Sequence, residues 1–273
     1  MCISSFSAKT RRMNRIGLAL LLVFGLAIAT RLVAGEGNPW SDRSSPAPVL
    51  VELFTSEGCS SCPPADALLQ QLDAQPFPGA QLIVLSEHVD YWNHIGWTDP
   101  YSSAAYSKRQ SAYGSRLRLE SVYTPQMIVD GTDEFVGNSS SEARKVFDRA
   151  VAVEKIPVRI SGVTLENNYL RAHIETGSLL SHERKGDVFL VVALNHAESQ
   201  VARGENAGRR LTHVAVVRNL AKVGSVAAGE AFSQDVSVKL QAGAERKDLR
   251  VIAFVQEPGP GRVLGVALEK LTK

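Results

Sequence analysis

The sequence predicts an α/β unit over residues 48–153 followed by a β-rich, sandwich-like unit over residues 157–273. Three observations lead to this. In the first half, short apolar runs of strand length alternate with stretches whose apolar residues recur at helical spacing. In the second half, about seven short runs rich in Val, Ile, Leu and aromatics are separated by turn residues, with no convincing helix among them. The 273 residues, 44% hydrophobic and 21% charged, have an ordinary globular composition and enough length for two domains. A disordered tail, a collagen-like fibre and a coiled coil are thereby excluded. The formal net charge of +2 is too small for an electrostatic nucleic-acid binder.

The N-terminus reads as an export signal. Arg11, Arg12 and Arg15 precede an apolar run over residues 16–29, whose 14 residues fall short of a membrane span. Ala27-Ile28-Ala29 supplies a small-residue cleavage site, with Ala34 as a second cut, so residues 1–29 are expected to leave. The alternative is an uncleaved anchor. Cleavage removes Lys9, Arg11, Arg12 and Arg15 and no acid. The 30 basic and 28 acidic residues then become 26 and 28, a net charge of −2. Cys2 leaves as well, and Cys59 and Cys62 remain as one C-x-x-C pair facing an oxidising compartment.

Residues 30–47 form a lead-in that becomes rich in Pro and Ser from Asn38 onward. Residues 49–54 (VLVELF) read as a buried parallel strand. Ala65, Leu68, Leu69 and Leu72 then form one helical stripe, and residues 81–86 (QLIVLS) a second buried strand. Residues 101–113 are a helix candidate. Residues 126–129 and 134–136 flank Asp130-Gly131 as a hairpin. Serines open a last helix over 139–153, with Ala143, Val146, Phe147 and Ala150 on one face. The expected strands of the second half are 158–165, 169–175, 188–195, 213–218, 231–240, 249–256 and 263–268.

Strand, loop, C-x-x-C and helix together make a chemical arrangement. A helix N-terminus presents unpaired backbone N–H groups and partial positive charge, which stabilise a thiolate. Cys59, nearer the loop, is expected to attack a substrate disulfide and Cys62 to resolve the mixed disulfide. Pro63-Pro64 suggests that the regular helix begins at Pro64. Structural zinc, a structural disulfide, and Cu(I) held by the two thiolates with His88 remain as alternatives.

Sites on parallel sheets form at the carboxyl ends of strands, which brings residues 87–92 beside the cysteines. His88 is expected to stabilise a thiolate or shuttle a proton, with Glu87 or Asp90 as base toward Cys62. Tyr91, Trp92 and Trp97 offer an apolar lip for a substrate peptide. Thr124-Pro125 precedes a strand and, in a thiol–disulfide site, is a candidate cis-proline pairing with a substrate strand. Each has a plainer reading as a polar loop, packed aromatic or edge proline. The segment Arg203-Gly204-Glu205-Asn206-Ala207-Gly208-Arg209-Arg210 lacks phosphate-loop spacing. It reads as a solvated loop, with domain docking or partner binding as the alternative.

The block VELFTSEGCSSCPPAD, from Val51 to Asp66, resembles domain of unknown function 1223, a secreted, thioredoxin-like bacterial family. HVDYW from His88, YTPQM from Tyr123 and RGEN from Arg203 resemble further blocks of it. The resemblance implies a thioredoxin fold for residues 48–153, with Cys59 and Cys62 at the redox position and Pro125 at the cis-proline position. Ser-Ser between the cysteines and the appended β-rich unit depart from thioredoxin itself.

The resulting expectation is a periplasmic or secreted thiol–disulfide oxidoreductase. Cys59, Cys62 and His88 form its catalytic set, and Thr124, Pro125 and Trp92 its substrate-binding set. It needs no cofactor or resident metal. Its partners are protein thiols or disulfides, including a redox partner protein, with no nucleic acid and no stable membrane span after signal cleavage. A Cu(I) carrier using Cys59, Cys62 and His88, and a non-catalytic secreted interaction module, are the other two classes.

Overall fold

The computed structural model describes residues 46–271 except 181, 184 and 241–244. The expected signal over residues 1–29 and nearly all of the lead-in over 30–47 lie outside the described residues. Strand β1 (Ala47–Thr55) is buried from Val49 onward and runs parallel to β2 (Ala80–His88), with Val51 opposite Val84 and Thr55 opposite His88. A parallel pair needs a crossover, and helix α1 (Pro63–Ala74) supplies it. The helix begins one residue earlier than the sequence suggests. Pro63 itself takes the first helical position, where a fixed φ and a missing N–H cost nothing.

Helix α2 (Ala104–Leu117) starts where Ser103 Oγ accepts from the Ala105 N–H and ends at Arg118 in the left-handed region. The expected hairpin forms from β3 (Gln126–Val129) and β4 (Asp133–Val136), turning through Asp130 and Gly131 at positive φ. Gly131 has no alternative, because a Cβ there would sit 2.1 Å from the Gly261 carbonyl oxygen. Helix α3 (Ser140–Ala150) is capped by Ser139 and buries Ala143, Val146, Phe147 and Ala150, the face its spacing predicts.

The seven expected strands of the second half all exist: β5 (Val158–Glu166), β6 (Tyr169–Thr176), β7 (Lys185–Gln200), β8 (Arg210–Ala227), β9 (Ser233–Lys239), β10 (Leu249–Gln256) and β11 (Val263–Lys270). Their association corrects the predicted fold class. There is no α/β thioredoxin-like fold followed by a separate β-rich, sandwich-like domain. Strands of both halves join in one eight-stranded mixed sheet of order β11-β10-β7-β8-β2-β1-β3-β4. With 47% strand and three α-helices, the described chain is mostly β.

The joint lies between β2 and β8, where Ser86 pairs with Val216 in parallel. Without β8, the β2 edge would leave backbone groups unpaired beside a buried apolar strand. The expected strand at 213–218 is 18 residues long in the structure, which lets β8 pair with both β7 and β2. Ala215, at φ 51°, marks an irregularity just before the junction.

Side-chain alternation gives the large sheet two buried faces. Val49, Val51 and Leu53 join Ala65 and Leu69 of α1 and Phe147 of α3 on one. Leu50, Leu85, Tyr106 of α2, Val217 and Phe254 meet on the other. The remaining sheet, β5-β6-β9, covers the β7-β10-β11 end through a third cluster that includes Leu170, Ile174, Leu190 and Val255. Each fully buried Leu, Val, Ile or Phe contributes roughly 1.5–3 kcal/mol of transfer free energy.

Candidate functional site

After β1 the chain turns through Ser56–Cys59 and enters α1, with Cys62 as the N-cap residue. Cys59 and Cys62 are joined by a disulfide, with Cα atoms 5.5 Å apart. Both cysteines are 0% exposed, whereas Ser60 and Ser61 between them face solvent. The helix mouth is poorer in donors than the C-x-x-C pattern alone implies. Pro63 and Pro64 have no N–H, and the Ala65 and Asp66 N–H groups are directed to the Cys62 carbonyl at 2.8 and 3.1 Å.

The predicted substrate-binding residues are beside the disulfide. The Thr124–Pro125 peptide is cis. The Thr124 carbonyl oxygen lies 3.9 Å from Cys59 Sγ and accepts from Ser61 Oγ at 3.5 Å. Ser61 Oγ is itself 3.3 Å from Cys59 Sγ. Trp92 Nε1 donates to Thr124 Oγ1 at 2.8 Å, and the Trp92 backbone presses on the turn before Cys59. A Cβ on Gly58 would approach Trp92 Cβ to 3.0 Å, so glycine allows this contact. Tyr91 is partly exposed and bonds Gln110, while Trp97 donates to Glu57 Oε2 at 2.8 Å. Trp97 therefore braces the turn.

His88 is fully buried, and its Nδ1 is 2.7 Å from Asp99 Oδ2. Asp99 also accepts the Glu57 N–H at 2.8 Å and the Tyr101 N–H at 2.8 Å. Burial opposes its charge, but His88 and these N–H groups hold it below its usual range. His88 Nε2 is buried without a hydrogen-bond partner, and its ring meets that of His213 edge-on at 4.6 Å. His213, from β8, is 3.2 Å from Glu57 Oε1 and 3.6 Å from Asp66 Oδ1. Burial lowers its affinity for a proton, yet Asp66 and Glu57 together push its pKa up to about 10. His213 thus lies buried between two carboxylates that favour its protonated form, one in the turn before Cys59 and one a helical turn after Cys62.

The structure does not bring Glu87 or Asp90 to this cluster. Alternation along β2 puts Glu87 on the α2 face, 3.6 Å from Arg109 and near Glu52. Burial, and then the Glu52 charge, raise its pKa well above the usual value. Asp90 accepts from Ser107 Oγ and belongs to the packing of α2.

The segment 203–210 is not a freely solvated loop. Asn206 is fully buried and donates to the carbonyls of Glu57 at 2.9 Å and Cys59 at 3.0 Å. Its own Oδ1 accepts from Arg209 Nη1 at 2.9 Å. Glu205, exposed, accepts the Ser60 N–H at 3.0 Å. The loop between β7 and β8 therefore docks on the cysteine turn. Sequence reasoning gave no site role to Glu57, Asp66, Asp99, Glu205, Asn206 or His213. The only available signal was that some of these stand in blocks that carry the family resemblance. Among the described residues, no three His, Cys, Asp or Glu side chains are placed to hold a metal ion. No helix of the described residues is long and apolar enough to cross a membrane.

A family model described as "protein of unknown function (DUF1223)" matches residues 50–256, which include both cysteines, Asn206 and His213. The chain belongs to the DUF1223 family. Among solved structures it is similar to protein AGR_C_4864 of Agrobacterium tumefaciens at 26% identity and a TM-score of 0.62, covering 82% of this chain and 94% of that one. HBP35 of Porphyromonas gingivalis has the same TM-score at 16% identity, covering 83% of this chain and 76% of that one, which shows a shared fold. No curated protein matches the chain.

Proposed function

We propose that this DUF1223 protein is an exported thiol–disulfide oxidoreductase that exchanges disulfides through Cys59 and Cys62. The observation that carries the reading is a disulfide across two residues at a helix start, with the backbone carbonyl of Thr124 3.9 Å from Cys59 Sγ. The Trp92 Nε1 bond to Thr124 Oγ1 supports the reading of Thr124 and Trp92 as substrate-binding residues. The export half of the proposal rests on the basic and apolar pattern before residue 30.

In one direction, a thiolate of a partner dithiol attacks Cys59 Sγ. The Cys59–Cys62 bond breaks, and its electron pair leaves on Cys62. The partner's second thiolate then attacks the mixed disulfide and releases Cys59 as a thiolate. The partner loses two electrons and two protons, and the cysteine pair gains them. The reverse sequence reduces a partner disulfide, with Cys59 as attacker and Cys62 as resolver. His88 Nδ1 pairs with Asp99, and its ring packs edge-on against Tyr101 and His213. It acts on the site through Asp99, which holds the Glu57 N–H.

The full burial of both cysteines favours a second reading, a structural cross-link. Such a short loop removes little unfolded-state entropy. Equilibration of the purified, metal-free protein in thiol redox buffers, with trapping of free thiols, separates the two. The proposal expects a potential between about −120 and −270 mV and a reduced Cys59 that is readily alkylated. A value below about −300 mV with inert thiols makes the pair structural.

A further inference from the structure

We infer that the β7–β8 loop is a working part of the redox site, in which Glu205 biases the Cys59–Cys62 pair toward the disulfide and so toward donating electrons. The inference rests on the exchange reading above. It concerns the direction of exchange, which the C-x-x-C pattern does not set.

A thiolate on Cys59 is stabilised by donors and positive charge within a few ångströms. The Ser61 hydroxyl, 3.3 Å from Cys59 Sγ, is one such donor, but the backbone supplies few. Pro63 and Pro64 remove two N–H groups from the helix mouth, and the next two are directed to the Cys62 carbonyl. The Ser60 N–H, adjacent to Cys59, is occupied by the Glu205 carboxylate at 3.0 Å. That carboxylate takes away a donor and adds a negative charge at the residue next to Cys59. Its position is fixed by the next residue, because Asn206 is buried and ties the loop to the Glu57 and Cys59 carbonyls.

Several other charged groups around the turn have partners. Glu57 and Asp66 face His213, Asp99 faces His88, and Arg209 binds Asn206 Oδ1. Glu205 is the exposed acid whose recorded hydrogen bond goes to the C-x-x-C backbone. At a pH where Cys59 is ionised, destabilising the thiolate disfavours the reduced pair and shifts the potential toward the reducing end of the exchange range.

Glu205→Gln keeps an oxygen that can accept the Ser60 N–H and removes the charge. In the purified, reduced protein at low ionic strength, its removal is expected to raise the Cys59 alkylation rate at pH 7 by about threefold to tenfold. Peptide mass spectrometry identifies the alkylated site. The difference shrinks as salt is added, because the carboxylate is exposed. At pH 9, where the thiols ionise, the reduction potential of Glu205→Gln rises above that of the parent by up to about 30 mV per tenfold.

Equal alkylation rates and equal potentials for parent and Glu205→Gln overturn this inference, while a parent potential inside the exchange range leaves the proposed function standing. A parent potential below about −300 mV with inert thiols overturns both. A change in thermal stability with unaltered thiol reactivity reduces Glu205 to a structural contact and also overturns the inference.

Discussion

Replacing His213 by Gln probes the charge arrangement beneath the cysteine turn. Burial lowers the proton affinity of His213, but Asp66 and Glu57 push its pKa from an ordinary 6.5 up to about 10. One unit of difference is about 1.4 kcal/mol, so protonated His213 contributes up to about 5 kcal/mol to stability. The folded value is raised, so this contribution is complete below about pH 6.5. It falls by about 1.4 kcal/mol per unit as pH climbs toward 10, and is gone above that.

His213→Gln should therefore lose about 3–5 kcal/mol at pH 7, where two buried carboxylates are left without their cation. At pH 9.5 the deficit should shrink to about 1 kcal/mol, because the parent has shed most of the same advantage. Urea unfolding followed by tryptophan fluorescence at the two pH values, with the disulfide intact, measures both differences. A deficit of equal size at pH 7 and 9.5 refutes the assignment of a protonated His213.

The second buried charge cluster gives another test. Arg109 Nε donates to Glu52 Oε1 at 2.7 Å, and the guanidinium lies 5.0, 5.5 and 5.7 Å from the rings of Tyr113, Phe254 and Phe189. Arg109→Leu is expected to cost about 3–5 kcal/mol in denaturant unfolding, and adding Glu52→Leu to recover a substantial part of it, since the acid nearest the guanidinium is then gone and only Glu87, 3.6 Å from Arg109, is left. Gly131→Ala should cost about 3 kcal/mol or more in thermal unfolding, because its Cβ would strike the Gly261 backbone from a left-handed conformation. A Tm within 2 °C of the parent, a margin small against the several degrees such a cost implies, would show that the hairpin relaxes freely.

Much of the local structure was legible. The alternation at 236–240, the apolar stripe after Cys62 and the serines at 139–141 each specify an element through neighbours a few residues away. All three α-helices and all eleven strands of the described residues have sequence counterparts. Lengths were less legible, and 213–218 stands within a strand more than twice as long. The cysteine pair and Trp92 were legible together because the carboxyl ends of the parallel strands β1 and β2 lie side by side, whereas Thr124 and Pro125, at the amino end of the antiparallel β3, were legible as a cis-proline candidate in a block of the family resemblance. Glu87 was misplaced by one position of strand alternation, which exchanges one face of the sheet for the other.

The sequence by itself determined the elements, their buried faces, the spacing of Cys59 and Cys62, and membership of a family whose motif blocks are short and contiguous. Tertiary structure decided that the two halves share one sheet, and that Asn206 and His213 reach Glu57 across 149 and 156 residues. The reason is physical. Helical and strand periodicity are set by backbone geometry within a few residues, so they are written locally. The partner of an open strand edge, or of a buried carboxylate, is whichever group the completed fold brings there, and no local pattern records it.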